Sequence, residues 1–218
     1  MTLRKKQRVL AIIMTAVMIF AMVGATVFSY FFGAYQYAEE ESATGSQNTE
    51  NTQPAQQDGY PEIKQLVAEL NQQLEAEPDN IDLWIDLGNA YYDLAVAALE
   101  ANPEEVTDDL HQAVDVYQYV LQNRQDVNVM LDLATAAYYL GDDALAEASF
   151  QDALKEQPNN YYALYNYGMF LHDAKQDLTG AIEQWEKALA LNPQDEQLKA
   201  LIDGTKVELE ALQADQTP

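Results

Sequence analysis

The sequence predicts an all-α chain: a solenoid of helical hairpins with an N-terminal single transmembrane helix. Three observations carry that prediction. An uncharged apolar run fills residues 9–32. From Pro61 onward, apolar residues return at helical spacing in a background rich in Ala, Leu, Gln and Glu. Within that part, the same residue types recur at the same places in three successive units.

Composition narrows the function classes. The chain has 218 residues, no cysteine and a formal charge of −25. Lack of cysteine removes disulfides, thiolate metal sites and thiol catalysis. Hydrophobic content of 48% is too high for a wholly disordered acidic chain. The charges are segregated. Arg4, Lys5, Lys6 and Arg8 form a basic tail over residues 1–8, whereas all 36 acids lie from Glu39 onward. Such an acidic part repels nucleic acid, which is not an expected partner. Two readings of the acidity stand open: a solvated helical surface, or attraction of a basic partner.

The run 9–32 is 24 residues long and carries no charge. At ~1.5 Å per residue it reaches ~36 Å, enough to span ~30 Å of hydrocarbon with some tilt. Tyr30, Tyr35 and Tyr37 follow where amphipathic rings suit a membrane interface. Basic residues before the span orient it with a cytoplasmic N-terminus, which places everything after it on the extracytoplasmic side of the cell membrane. A cleaved signal peptide ending near Val23-Gly24-Ala25 is the rival, but the apolar run continues past that site to Phe32. Ala21, Ala25 and Ser29 form a small-residue stripe that permits weak self-association of the span. Residues 33–60 are poor in apolar residues and read as a flexible linker.

The helical part runs from 61 to 214. It is expected to hold an extra N-terminal helix (61–77), three units (81–125, 127–160, 161–194) and a capping helix (195–212). Near the start of each unit come Trp84, Met130 and Leu164. Leu87-Gly88, Leu133-Ala134 and Tyr167-Gly168 follow, then Tyr91, Ala137 and Leu171. The second helices supply Ala113, Ala146 and Ala181, then Tyr117, Phe150 and Trp185, then Val120, Ala153 and Ala188. Units close at Gln125, Pro158 and Pro193, and Pro78 ends the preceding helix. The small residues are expected to let paired helices approach, the large ones to fill the space between helices, and proline to stop each pair.

This pattern resembles the tetratricopeptide repeat, with its W-x2-L-G-x2-Y, A-x3-F-x2-A and closing proline. Unit one departs by carrying 13 extra residues around LAVAALEANPEEVTDD, which predicts two lengthened helices with a turn near Asn102. There, Asn102-Pro103-Glu104-Glu105 reads as a cap, a first-turn proline and helix-start acids. Unit three carries one extra residue near Asp177.

The resemblance implies a ligand groove lined by the second, fifth, ninth, twelfth and thirteenth positions of each first helix. Those positions hold Asp82, Ile85, Asn89, Tyr92 and Asp93, then Asn128, Leu131, Thr135, Tyr138 and Tyr139, then Tyr162, Tyr165, Met169, His172 and Asp173. The candidate peptide-binding set is Asn89, Tyr92, Asn128, Thr135, Tyr138, Tyr139, Tyr162, Tyr165, Met169 and His172. Tyrosine offers rigid apolar area with a polar tip, and asparagine can bond an extended backbone. Packing against neighbouring helices is the competing explanation of the tyrosines. None of the fifteen positions is Lys or Arg, so a clamp for a C-terminal carboxylate is not expected.

No catalytic set emerges. Beyond the span, serine occurs only at Ser42, Ser46 and Ser149, and the two histidines, His111 and His172, fall in different units. No phosphate loop or metal-ligand spacing is present, so neither enzyme activity nor a cofactor is expected. Glu104, Glu105, Asp108 and Asp109 are explained as helix-start acids rather than a metal site.

The leading expectation is therefore a non-enzymatic, membrane-tethered scaffold or adaptor that binds a protein or peptide partner in a Tyr/Asn-lined groove. Two alternatives stand beside it. The junction LEAEPDN-x3-W-x2-LG after an N-terminal anchor is similar to the repeat domain of cytochrome c maturation factors, which implies apocytochrome binding. The other is a structural subunit of an envelope or secretion complex.

Overall fold

The computed structural model describes residues 59–215. The expected basic tail, membrane helix and residues 33–58 of the expected linker lie outside the described residues. Gly59 and Tyr60, read from sequence as linker, belong instead to the first helix. Among the described residues, no helix is long and apolar enough to cross a membrane.

The described residues form eight helices and no strand: α1 Gly59–Ala76, α2 Ile81–Ala101, α3 Val106–Asn123, α4 Val127–Leu140, α5 Asp143–Glu156, α6 Tyr161–Asp173, α7 Leu178–Leu191 and α8 Glu196–Asp215. α2/α3, α4/α5 and α6/α7 pair as hairpins, and the first helices touch in sequence, α2 against α4 and α4 against α6. α1 packs on α2 and α3 through Val67, Leu70 and Leu74, which meet Leu87, Ala90, Leu94 and Val116.

A recurring turn sets where the units begin. Before α2, the amide of Asn80 bonds the carbonyl of Glu77, with Pro78 between them. The Asn80 side chain then accepts from the amides of Asp82 and Leu83. Before α6, Asn160 bonds back to Gln157 across Pro158 and caps Ala163. Before α8, Asp195 bonds back to Asn192 across Pro193 and caps Leu198. Asp126, Asp142 and Asp177 cap α4, α5 and α7. Proline ends one helix, and the Asn or Asp two or so residues later supplies the acceptor that starts the next.

Within hairpins, the last turn differs between units. α4 ends on Gly141 at φ 78°, where a left-handed residue lets the amides of Gly141 and Asp142 reach carbonyls of the last turn. Unit three has its extra residue here and puts Gln176 at φ 56° in that role. The sequence locates the insertion; the positive φ on a glutamine is a strain it does not announce.

In unit one, α2 and α3 run 21 and 18 residues, against 13 or 14 in the other hairpin helices. Asn102 is the C-cap of α2, not the expected N-cap of α3. α3 starts after Glu105, whose side chain makes no cap bond. That carboxylate is drawn away by α1: it accepts from the Tyr60 hydroxyl and pairs with Lys64 at 3.0 Å.

The small and large residues meet differently from the sequence expectation. Gly88 and Gly168 each face the aromatic of their own second helix. A Cβ on Gly88 would lie 2.6 Å from Cε1 of Tyr117, and one on Gly168 would lie 2.8 Å from Cε2 of Trp185. Tyr117, Phe150 and Trp185 are almost completely buried. Trp84 stays half-buried; its indole N–H donates to the Pro78 carbonyl at 2.8 Å and its ring packs 4.6 Å from Tyr119.

Candidate functional site

Because α2, α4 and α6 lie side by side, residues at equal distances from their N-termini form rows across them. The twelfth positions are Tyr92, Tyr138 and His172, and the thirteenth are Asp93, Tyr139 and Asp173. Ring centroids of Tyr92 and Tyr139 stand 6.3 Å apart, those of Tyr139 and Tyr138 5.3 Å, and Tyr138 meets Phe170 edge-on at 5.8 Å. One aromatic path thus links three first helices. Tyr139 keeps 39% of its surface open.

A second group sits at the start of α6. Tyr161 stacks on Tyr165 at 6.2 Å and meets Tyr162 edge-on at 5.5 Å. Tyr162 is 49% exposed. Tyr161 is held from below, donating its hydroxyl to Asp195 at 2.5 Å. Sequence reasoning left Tyr161 out of the site because the first helix position does not line the groove in the resembled pattern.

The remaining sequence-predicted residues are placed variously. The Asn89 side-chain carbonyl accepts from Tyr117 at 2.9 Å, and the Thr135 hydroxyl donates to the Leu131 carbonyl at 2.8 Å. Those two groups are engaged in the fold. Asn128 is exposed at the start of α4, and Met169 packs half-buried on the core. His172 turns toward α8: Nδ1 lies 2.5 Å from Asp173, Nε2 lies 3.5 Å from Glu208, and the ring packs 5.7 Å from Trp185. The structure therefore joins Tyr92, Tyr138 and Tyr139, groups Tyr162 with Tyr165, and sends His172 elsewhere.

Electrostatics tie the groups together. Desolvation between the helices raises the hydroxyl pKa of Tyr138, Tyr139 and Tyr165, and in each case the Asp173 carboxylate raises it further. Tyr139 is open at its rim yet walled by protein around it, which reconciles its exposure with this desolvation. Asp93 is raised by desolvation alone, though its side chain is open to solvent. Among groove acids, Asp82 is paired with Arg124 at 2.6 Å.

Two depressions among the described residues lie elsewhere. One of about 640 Å³ is lined by Gln118, Gln122, Met130, Ser149 and Asp152, and one of about 550 Å³ by Gln151, Lys155, Tyr167 and Lys187. Both open between second helices. An extended peptide lies on an open face rather than in a closed cavity, so these depressions do not choose between the two sides. Among the described residues, no cluster of His, Asp and Glu could hold a metal ion.

Residues 131–196 match the family model described as tetratricopeptide repeat. The described domain has the fold of a tetratricopeptide-repeat solenoid. Among solved structures, it is similar to TTC0263, a thermophilic repeat protein of Thermus thermophilus. The two share 20% identity over 67% of this chain and 74% of that one, with a TM-score of 0.57. It is also similar to MamA, at 18% identity over 71% of this chain and 92% of that one, with a TM-score of 0.53. Those likenesses concern the fold alone. Comparison with curated proteins finds no match. A repeat solenoid of this kind points to protein–protein interaction.

Proposed function

We propose that this chain is a membrane-tethered, non-enzymatic adaptor whose repeat solenoid holds a partner polypeptide on its first-helix face. The observation that carries the reading is the path Tyr92–Tyr139–Tyr138, which crosses successive repeats and leaves its middle ring open. Such rings give rigid contact area at small entropic cost. Tethering rests on the sequence: the uncharged run 9–32 follows a basic tail, so the solenoid is assigned to the extracytoplasmic side. A tether acts by raising the local concentration of the bound partner near the membrane.

The test is affinity capture of the full-length protein from crosslinked membranes, beside a Tyr138→Ala/Tyr165→Ala double variant. A partner lost in the variant, with helicity unchanged, supports the face. A partner retained in it moves binding to the second-helix side, the span or the long hairpin.

A further inference from the structure

The charges around the aromatic path are one-sided. Tyr139 is flanked in its row by Asp93 on α2 and Asp173 on α6, and Asp143 acts on Tyr138 from the start of α5. None of the fifteen groove positions is Lys or Arg; His172, the one imidazole among them, has Nδ1 2.5 Å from Asp173 and Nε2 3.5 Å from Glu208. Lys175, which follows Asp173 closely in sequence, is turned away and paired with Glu147 at 2.8 Å. A face of electron-rich rings bordered by carboxylates, with its nearby cation withdrawn, is complementary to positive charge on the ligand. Arginine fits best, since its guanidinium stacks flat on a phenol while its N–H groups fork to a carboxylate.

Resting on the adaptor reading above, we propose that the first-helix face selects an extended cationic segment of its partner, seating an Arg or Lys over Tyr139 between Asp93 and Asp173. Three first helices at about 9 Å spacing span roughly eight extended residues, so a short stretch of chain suffices. An acidic segment meets like charge here and is disfavoured, and a neutral one gains nothing from these carboxylates.

The test uses full-length protein in detergent micelles and three labelled peptides of about eight residues: oligo-arginine, oligo-glutamate and a Gly/Ser repeat. Fluorescence anisotropy is expected to show binding of oligo-arginine alone, weakening with salt. Asp93→Asn/Asp173→Asn is expected to weaken it about tenfold, and Tyr92→Leu/Tyr139→Leu by a similar factor, whereas Tyr92→Phe/Tyr139→Phe keeps it. Asp115→Asn/Asp152→Asn removes the same charge from exposed second-helix sites and is expected to change little. Circular dichroism checks that each variant is folded.

Equal loss in the Asp115/Asp152 variant overturns the proposal in favour of diffuse attraction to an acidic protein. Indifference to Tyr→Leu overturns it as well. If oligo-arginine does not bind but a partner is still captured through Tyr138 and Tyr165, this inference fails and the adaptor reading stands. If capture ignores Tyr138 and Tyr165, the adaptor reading itself fails.

Discussion

Gly168 faces the indole of Trp185 so closely that a Cβ there would lie 2.8 Å from Cε2 of the ring. The ring has nowhere to go: Trp185 is fully buried, and its N–H donates to the Tyr165 carbonyl at 3.0 Å. Gly168→Ala is therefore expected to cost about 2–3 kcal/mol. Thermal unfolding should show a midpoint lower by roughly 5–10 °C. Gly204, in the middle of α8, has nothing within 4 Å of its Cβ direction. Gly204→Ala is expected to raise stability by about 0.5–1 kcal/mol, an opposite response from the same substitution.

Tyr117→Phe keeps the ring that fills the first hairpin and removes one hydroxyl. It leaves the Asn89 carbonyl without its 2.9 Å partner, and a loss of about 1 kcal/mol is expected in denaturant titrations. Tyr139→Phe, which alters an open ring rim, is expected to change stability by less than half of that.

Asp195 serves two neighbours at once. One carboxylate oxygen caps α8 through the Leu198 amide at 2.9 Å, and the other accepts from Tyr161 at 2.5 Å. Asp195→Ala is expected to cost about 2 kcal/mol in thermal unfolding. Hydrogen exchange should quicken in the first turn of α8, while α2 and α3 stay protected.

The contact of α1 with the long hairpin should depend on acid. The Tyr60 hydroxyl, then Lys64, hold the Glu105 carboxyl below the usual carboxylate range. A lowered carboxyl pKa contributes stability above the ordinary value and loses it as pH falls through the folded value. Amide protection of α1 is expected to drop on acidification below about pH 4. In Glu105→Gln, protection should already be low at neutral pH and should not fall further in that window.

Alkaline titration probes the tyrosine face. Hydroxyls of Tyr138, Tyr139 and Tyr165 are raised by desolvation and by Asp173, so they should ionise after the phenols in water. A raised phenol pKa contributes stability below the ordinary value, about 10, which is lost as pH rises through the folded value. The ultraviolet phenolate signal is expected to rise in two phases, and Asp173→Asn should move the later phase to lower pH.

Much of the fold was legible because three of its boundaries carry their own local chemistry. Pro78, Pro158 and Pro193, followed by Asn80, Asn160 and Asp195, mark stop and start with chemistry that acts within a few residues. Where the outcome depended on a partner distant in sequence, the reading failed. Asn102 looked like a helix start; Glu105 is claimed by Tyr60 and Lys64, some forty residues away, and the cap chemistry gives way. The glycines were likewise recognised as small without revealing which aromatic each accommodates. At the candidate site, register placed Tyr92, Tyr138 and Tyr139 on one face. It could not show that Asn89 and Thr135 spend polar groups on the fold, nor that His172 turns to α8.

The fastening of α1 bears on mechanical load. Tension applied to the chain at residue 59 enters the first turn of α1, where Tyr60 and Lys64 hold the tip of the long hairpin through one carboxylate. Beyond that grip, α1 engages the solenoid by buried Val67, Leu70 and Leu74 and half-buried Ile63, whereas each later helix is interlocked with a neighbour. Pulling would peel α1 away first and lengthen the chain. The three hairpins and their tyrosine face would stay intact, with α1 acting as a sacrificial link ahead of them.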